Sequence, residues 1–214
     1  ELPIVKKWMD SGRLGKVLEI RGRGKGDKRG GVEDFWVLGT HVLNLFQYLG
    51  GPPQHCSAVL FQDDRLATTA DIRPGNEGLG AFAGNRLHAR YLLSSGLVAY
   101  LDSIADDQTQ SRGFGLQIIG SEGVIDLKCD LFPFAHVRQG NPFDVRNESK
   151  PWKPLLADET LAMAEHEMRF RQVLNHVVPG MDLMESIRTD RQPLCNGREA
   201  AMTIEMVCAA LLSH

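Results

Sequence analysis

Apolar and polar positions alternate from residue 17 to 23, with Leu18, Ile20 and Gly22 set against Val17, Glu19 and Arg21. A period of two belongs to a strand with one face on a core. The period then changes. Leu38, Val42, Leu45 and Leu49 recur at helical spacing and predict a helix over residues 35–49, which Gly50-Gly51-Pro52-Pro53 ends. Before these, residues 4–9 form a short amphipathic helical turn stopped by Ser11-Gly12. Strands are expected over residues 56–61, 86–93, 97–103, 114–119, 124–128 and 134–138, and helices over 159–178, 182–189 and 197–212. Asn196 is the N-cap of the last helix, with Glu199 three residues on, close to a capping box.

Ser94-Ser95-Gly96 and Gly120-Ser121-Glu122-Gly123 carry the turn chemistry of hairpins. Tight connections demand antiparallel pairing, because parallel strands need long crossovers. Strands grouped in the middle of the chain, not alternating with helices, predict an α+β domain spanning residues 1–214. Its expected architecture is one open, mainly antiparallel β-sheet with helices packed on one face. The other face is then left to solvent or to a partner. Residues 141–154 read as a polar, Pro-containing connector, and the sequence holds no internal repeat or low-complexity segment.

Composition narrows the classes. At 214 residues, 43% hydrophobic and 24% charged, the chain can bury one substantial core. Its formal charge of -3 argues against nucleic acid as a partner, since phosphate binding needs a basic face. The basic stretch 16–29 is interleaved with glycines and broken by Glu19 and Asp27, as in a solvated strand edge and loop. Cys56, Cys129, Cys195 and Cys208 form no C-x-x-C pair. Four reduced thiols in a reducing, cytoplasmic compartment are the expectation. No apolar run approaches the roughly 20 residues of a membrane span. The start, Glu1-Leu2-Pro3-Ile4, is no signal peptide and has no initiating Met, which predicts that sequence once preceded it.

Gly22-x-Gly24-x-Gly26 follows a strand, yet no apolar helical period opens at its last glycine, as a dinucleotide fingerprint requires. A loop is expected there, and no cofactor-binding residue in this chain. On the helix of residues 35–49, His41 and Asn44 share one face, which Val37 and Asp34 continue toward the N-terminus, while the apolar stripe points into the core. An imidazole on a rigid helix, with an unperturbed pKa of about 6.5, suits a proton acceptor for a bound hydroxyl. From the residues alone, a single His on a helix is more often a surface or packing residue. Glu33, Asp34 and His41 could form a metal set, but no second His at ligand spacing supports one, and no metal is expected. Trp36 and Arg73 are candidate sugar contacts, a stacking platform and a hydroxyl donor, and core or surface roles suit both at least as well. Glu165-His166-Glu167 reads as a solvated helix face, and His176 as a complement to a helix C-terminus.

Gly30-Gly31, then Gly39-Thr40-His41-Val42-Leu43-Asn44, then Tyr48-Leu49-Gly50 resembles the C-terminal-domain signature of the glucose-fructose oxidoreductase, inositol dehydrogenase and MocA family. The resemblance extends to residues 11–17, to the hairpin segment 115–123 and to the closing helix 193–213, and so covers nearly the whole chain. It implies a dihydrodipicolinate-reductase-like C-terminal domain, with an N-terminal Rossmann domain that binds NAD or NADP absent from this chain. It also implies hydride transfer between a carbohydrate or polyol carbon and the nicotinamide, with His41 as acid/base. Asn44, Asp34, Glu33 and Trp36 would bind substrate, and a homodimer or homotetramer would form through the open sheet face. This sequence departs from the pattern twice, with Asn44 and Val37 where members carry Asp. Without those carboxylates, tuning of His41 would fall to Glu33 or Asp34. Two rival readings follow: a non-catalytic binding or assembly module of the same fold, and an NAD-dependent glycosidase acting through a keto intermediate.

Overall fold

The computed structural model describes residues 2–76, 78–109, 113–147 and 150–214. Its opening turn is α1 (Leu2–Asp10), whose Val5 is buried. The alternating segment becomes β1 (Val17–Arg23), followed by α2 (Val32–Val37), α3 (Gly39–Gly50), β2 (Pro53–Gln62) and β3 (Arg65–Leu66). A small ribbon, β4 (Arg73–Pro74) with β5 (Ala81–Phe82), precedes the main run of β6 (Arg86–Leu93), β7 (Val98–Ile104), β8 (Gly115–Gly120), β9 (Gly123–Lys128), β10 (Ala135–Gln139) and β11 (Lys153–Pro154). The chain closes with α4 (Met163–Leu174), α5 (Val177–Thr189) and α6 (Gly197–Leu212).

Nine strands form one sheet in the order β11-β10-β9-β8-β1-β7-β6-β2-β3. Neighbours are antiparallel except β1 and β7, which run parallel. The long excursion from β1 through α2, α3, β2 and β6 is what permits that pair. The expected architecture is therefore present, an α+β domain with an open, mainly antiparallel sheet.

One sheet face is the core. Ile20, Leu87, Tyr91, Leu101, Ile118, Ile125 and Leu127 are fully buried on it. Helices α2, α3 and α6 lie over β1, β7, β6 and β2. Gly22 makes the close approach of α3 possible, because a Cβ there would stand 2.6 Å from Val42 and 2.8 Å from Phe46. The Tyr91 hydroxyl donates to the Met206 carbonyl at 2.9 Å and ties β6 to α6. The opposite face alternates polar and half-buried. It carries the Glu19–Arg21 ion pair, the Arg21 guanidinium over the Tyr100 ring, and His88 against Asp102 at 2.6 Å.

Local boundaries differ from the periodicity in three places. The helix expected over 35–49 is two helices that meet at Leu38, and the first starts at Val32, directly after Gly31 with φ 90. The helix expected over 159–178 ends at Leu174, and α5 begins before Pro179, not after it. Proline is tolerated there because the first turn of a helix has no amide partner to lose. The break falls instead on His176, which adopts a left-handed conformation with φ 60. Of the connector 141–154, residues 148–149 lie outside the described residues, and its end pairs as β11 with β10.

Asn196 caps α6 as expected, accepting from the Arg198 and Glu199 amides, while the Glu199 carboxylate accepts from the Asn196 amide. The four cysteines are free. Among the described residues no helix is long and apolar enough to cross a membrane.

Candidate functional site

The loop of residues 24–31 packs onto α2 through one carboxylate. Asp34 is 2% exposed. Its Oδ2 accepts from the Ser103 hydroxyl at 2.7 Å and from the Lys25 amide at 3.0 Å, and Ser103 in turn accepts from the Gly31 amide at 2.9 Å. Gly24 is obligatory here, since a Cβ would collide with Asp34 Oδ2. The other oxygen, Oδ1, has no hydrogen-bond partner among the described residues, and burial pushes the Asp34 pKa above the usual carboxylate range.

These glycines form no phosphate cradle. Gly24 and Gly26 stand against the carboxylates of Asp34 and Asp107, and Gly30 against the backbone of Ile104 and Ala105. The faces of these glycines are thus occupied by the chain's own side chains and backbone. Glu33 is engaged elsewhere, accepting from the Asn76 amide at 2.7 and 2.9 Å. Arg73 is exposed on β4.

One turn further on, α3 presents a different environment. Trp36, Thr40, His41 and Asn44 line one side of an open cavity of about 530 Å3, and Thr203 and Ile204 of α6, with Cys129, Phe134 and Cys195, are among the residues that line the rest. The His41 amide donates to the Leu38 carbonyl at 3.1 Å, bridging the break between the two helices. The ring lies 5.9 Å from that of Phe114, tilted by 44°. One edge is open to solvent, while the crowded side lowers the His41 pKa by desolvation. A carboxylate takes no part in that shift; its cause is removal of water, which favours the neutral, proton-accepting imidazole.

Asn44 is half-buried, and its amide lies 3.5 Å from the Thr203 hydroxyl, a long contact. Gln47 holds the same hydroxyl at 2.7 Å, and that hydroxyl donates to the Glu199 carbonyl at 3.0 Å. Thr203 is thereby occupied by Gln47 and its own helix, and the Asn44 amide remains able to turn to a ligand.

The structure therefore brings Trp36, His41 and Asn44 together, and holds Glu33 and Asp34 apart from them and from that cavity. The separation has a physical cause: Asp34 is turned inward at the start of α2, while His41 lies beyond the break at Leu38. Among the described residues, no three His, Cys, Asp or Glu side chains group to hold a metal ion. Sequence reasoning missed Phe114, Cys129, Phe134, Cys195 and Thr203, which come from remote segments. Only the helical register of α6, with Thr203 on the face turned to α3, could have signalled any of them.

No protein-family model matches this chain, and none of the curated proteins does. Solved structures do match its fold. A levoglucosan dehydrogenase in complex with NADH and levoglucosan superimposes with a TM-score of 0.62 at 15% identity, over 98% of this chain and 60% of the other. The WlbA dehydrogenase from Bordetella pertussis, in complex with NADH and UDP-GlcNAcA, gives 0.61 at 18% identity, over 99% and 58%. An NAD binding oxidoreductase from Klebsiella pneumoniae gives 0.65 at 17% identity, over 99% and 60%. The chain thus has the fold of part of these oxidoreductases, and spans about 60% of the length of each.

Proposed function

We propose that this chain is the substrate-binding and oligomerising part of an NAD(P)-dependent oxidoreductase that acts on a sugar, sugar acid or cyclitol, with His41 as its acid/base group. One observation carries this reading. A neutral imidazole, an indole and a carboxamide, those of His41, Trp36 and Asn44, meet around one open cavity on a rigid helical frame. The sugar and NADH complexes among the structural neighbours lend it chemical context.

In this reading Trp36 offers its ring face to the apolar side of the carbohydrate, and the Asn44 amide donates to a hydroxyl. His41 accepts the proton of the hydroxyl on the reacting carbon, and returns it in the reverse direction. When bound, a nicotinamide, of NAD or NADP, supplies the acceptor for the hydride. A Rossmann domain on sequence outside residues 1–214 would hold it. The 214-residue chain alone is then inactive in turnover. The cytoplasm is the compartment proposed for the enzyme.

The decisive assay is a sugar and cyclitol panel on the polypeptide encoded with its upstream sequence, read by nicotinamide absorbance. A substrate should emerge whose kcat falls by about 10²–10⁴-fold in His41→Ala, the usual contribution of a positioned acid/base group. Undiminished turnover in that variant removes His41 from the mechanism. Absence of turnover with bound sugar favours the second reading, a binding module of the same fold, toward which Asn44 and Val37 point because they cannot carry a carboxylate's charge.

We also assign the open sheet face to a second copy of the chain, giving a homodimer or homotetramer. Val59 and Tyr100 lie among the charged groups of that face, and among the described residues α2, α3 and α6 pack on the other one. Sedimentation velocity at micromolar concentration should give a dimer or larger; a clean monomer overturns the assignment.

A further inference from the structure

Next to the His41 cavity, in the groove between α3 and α6, lies a second cavity of about 250 Å3. Asn44 and Cys195 border both, so the two cavities adjoin at these side chains. The chemistry changes along the groove. The first cavity offers Trp36, His41 and apolar side chains, whereas the second offers Tyr48, Gln47, Arg198 and Glu199.

We propose that the second cavity is a subsite for an anionic substituent, a carboxylate or phosphate, carried by the carbohydrate whose reacting carbon faces His41. The proposal rests on the reading of the His41 cavity given above and names the chemistry of the ligand's far end. Arg198 is the group that selects it. Some arginines of this chain hold carboxylates of their own, Arg21, Arg65, Arg169, Arg171 and Arg191 at 2.5–2.9 Å, and others lie over aromatic rings, Arg13 over Trp8 and Arg138 over Trp152. The Arg198 guanidinium holds no carboxylate among the described residues, and it is exposed on the cavity wall.

The one carboxylate on the same wall is already engaged. Glu199 accepts from the Asn196 amide at 3.0 Å as the second half of the capping box. The first amides of α6 are engaged too, since Asn196 accepts from Arg198 and Glu199 at 3.0 and 3.2 Å. Anion recognition therefore falls to the Arg198 side chain and not to the end of the helix. A planar guanidinium pairs with a carboxylate or phosphate through two parallel hydrogen bonds. Tyr48, 46% exposed, and Leu194, 82% exposed, give the flanking surface against which the rest of the ligand rests.

The test is an NMR titration of the 214-residue chain, following the Trp36 indole and Asn44 amide signals, with methyl glucoside, methyl glucuronide and glucose 6-phosphate. The anionic sugars should bind about fivefold tighter than the neutral one, the size of an exposed but well-oriented ion pair. Arg198→Gln should erase that gain and leave the neutral sugar's affinity unchanged. Glu199→Gln preserves the cap, since Gln serves in a capping box, and should enlarge the gain. A gain confined to glucuronide or to the phosphate identifies which oxyanion the subsite takes. A neutral sugar that binds while the anions gain nothing, or a gain that survives Arg198→Gln, overturns the subsite and leaves the reading of the His41 cavity standing. If no sugar perturbs Trp36 or Asn44, both fall.

Discussion

Asp34 and His41 stand seven residues apart on either side of the break at Leu38, and their surroundings have opposite logic. Asp34 is 2% exposed and tied to Ser103 and Lys25. His41 has an open edge, a neighbouring ring, and no side-chain hydrogen bond to a described residue. Burial raises the pKa of the first and lowers that of the second, and in both cases it favours the neutral form. Partners decide what that neutrality is for. A buried carboxylate with two donors organises a loop, whereas an imidazole with a free edge over a cavity can exchange a proton with a ligand.

Truncating each residue should separate the two roles most sharply. Asp34→Ala leaves the Ser103 hydroxyl and the Lys25 amide without an acceptor in a buried setting, and should cost about 2 kcal/mol of stability in urea denaturation. His41→Ala should stay within about 0.5 kcal/mol of the parent, as exposed substitutions do. Equal losses would mean that His41 is structural and that the contrast is false.

A smaller effect tests the carboxylate's charge. The folded pKa of Asp34 is raised above its ordinary 3.8, so the fold prefers the protonated acid. Its contribution is complete below that ordinary value and is lost as pH rises through the folded value. Asp34→Asn cannot ionise. Its urea midpoint relative to the parent should therefore improve from pH 4 to pH 7, and a gap that does not change with pH would show that Asp34 ionises freely in the fold.

Much of this arrangement was legible in the residues. The alternation at 17–23, the hairpin turns at 94–96 and 120–123 and the capping box at Asn196 are local signals, and each element formed as expected. The inward stripe Leu38, Val42, Leu45 and Leu49 indicated which face of α3 is buried, and so left His41 outward. The break at Leu38 was not legible, because Leu38 itself fits the helical period. The break at His176 was misplaced because Pro179 is the more visible signal, although a proline in a first turn begins a helix as readily as it ends one.

Sequence spacing also placed Asp34 on the stripe with His41 and Asn44. The structure turns it the other way, against Ser103 of β7, 69 residues along the chain. No local pattern contains that serine.

The amino-acid order alone determined most of the elements and the grouping of strands into an open sheet, since periodicity, turn chemistry and caps act over a few residues. Tertiary structure decided which polar side chains share a cavity. The walls around His41 come from α1, α2, α3, the segment between β9 and β10, and α6, and the distance between them is set by how helices lie on a twisted sheet. That packing depends on contacts between residues far apart in the chain, and such contacts leave no trace in the spacing of their neighbours.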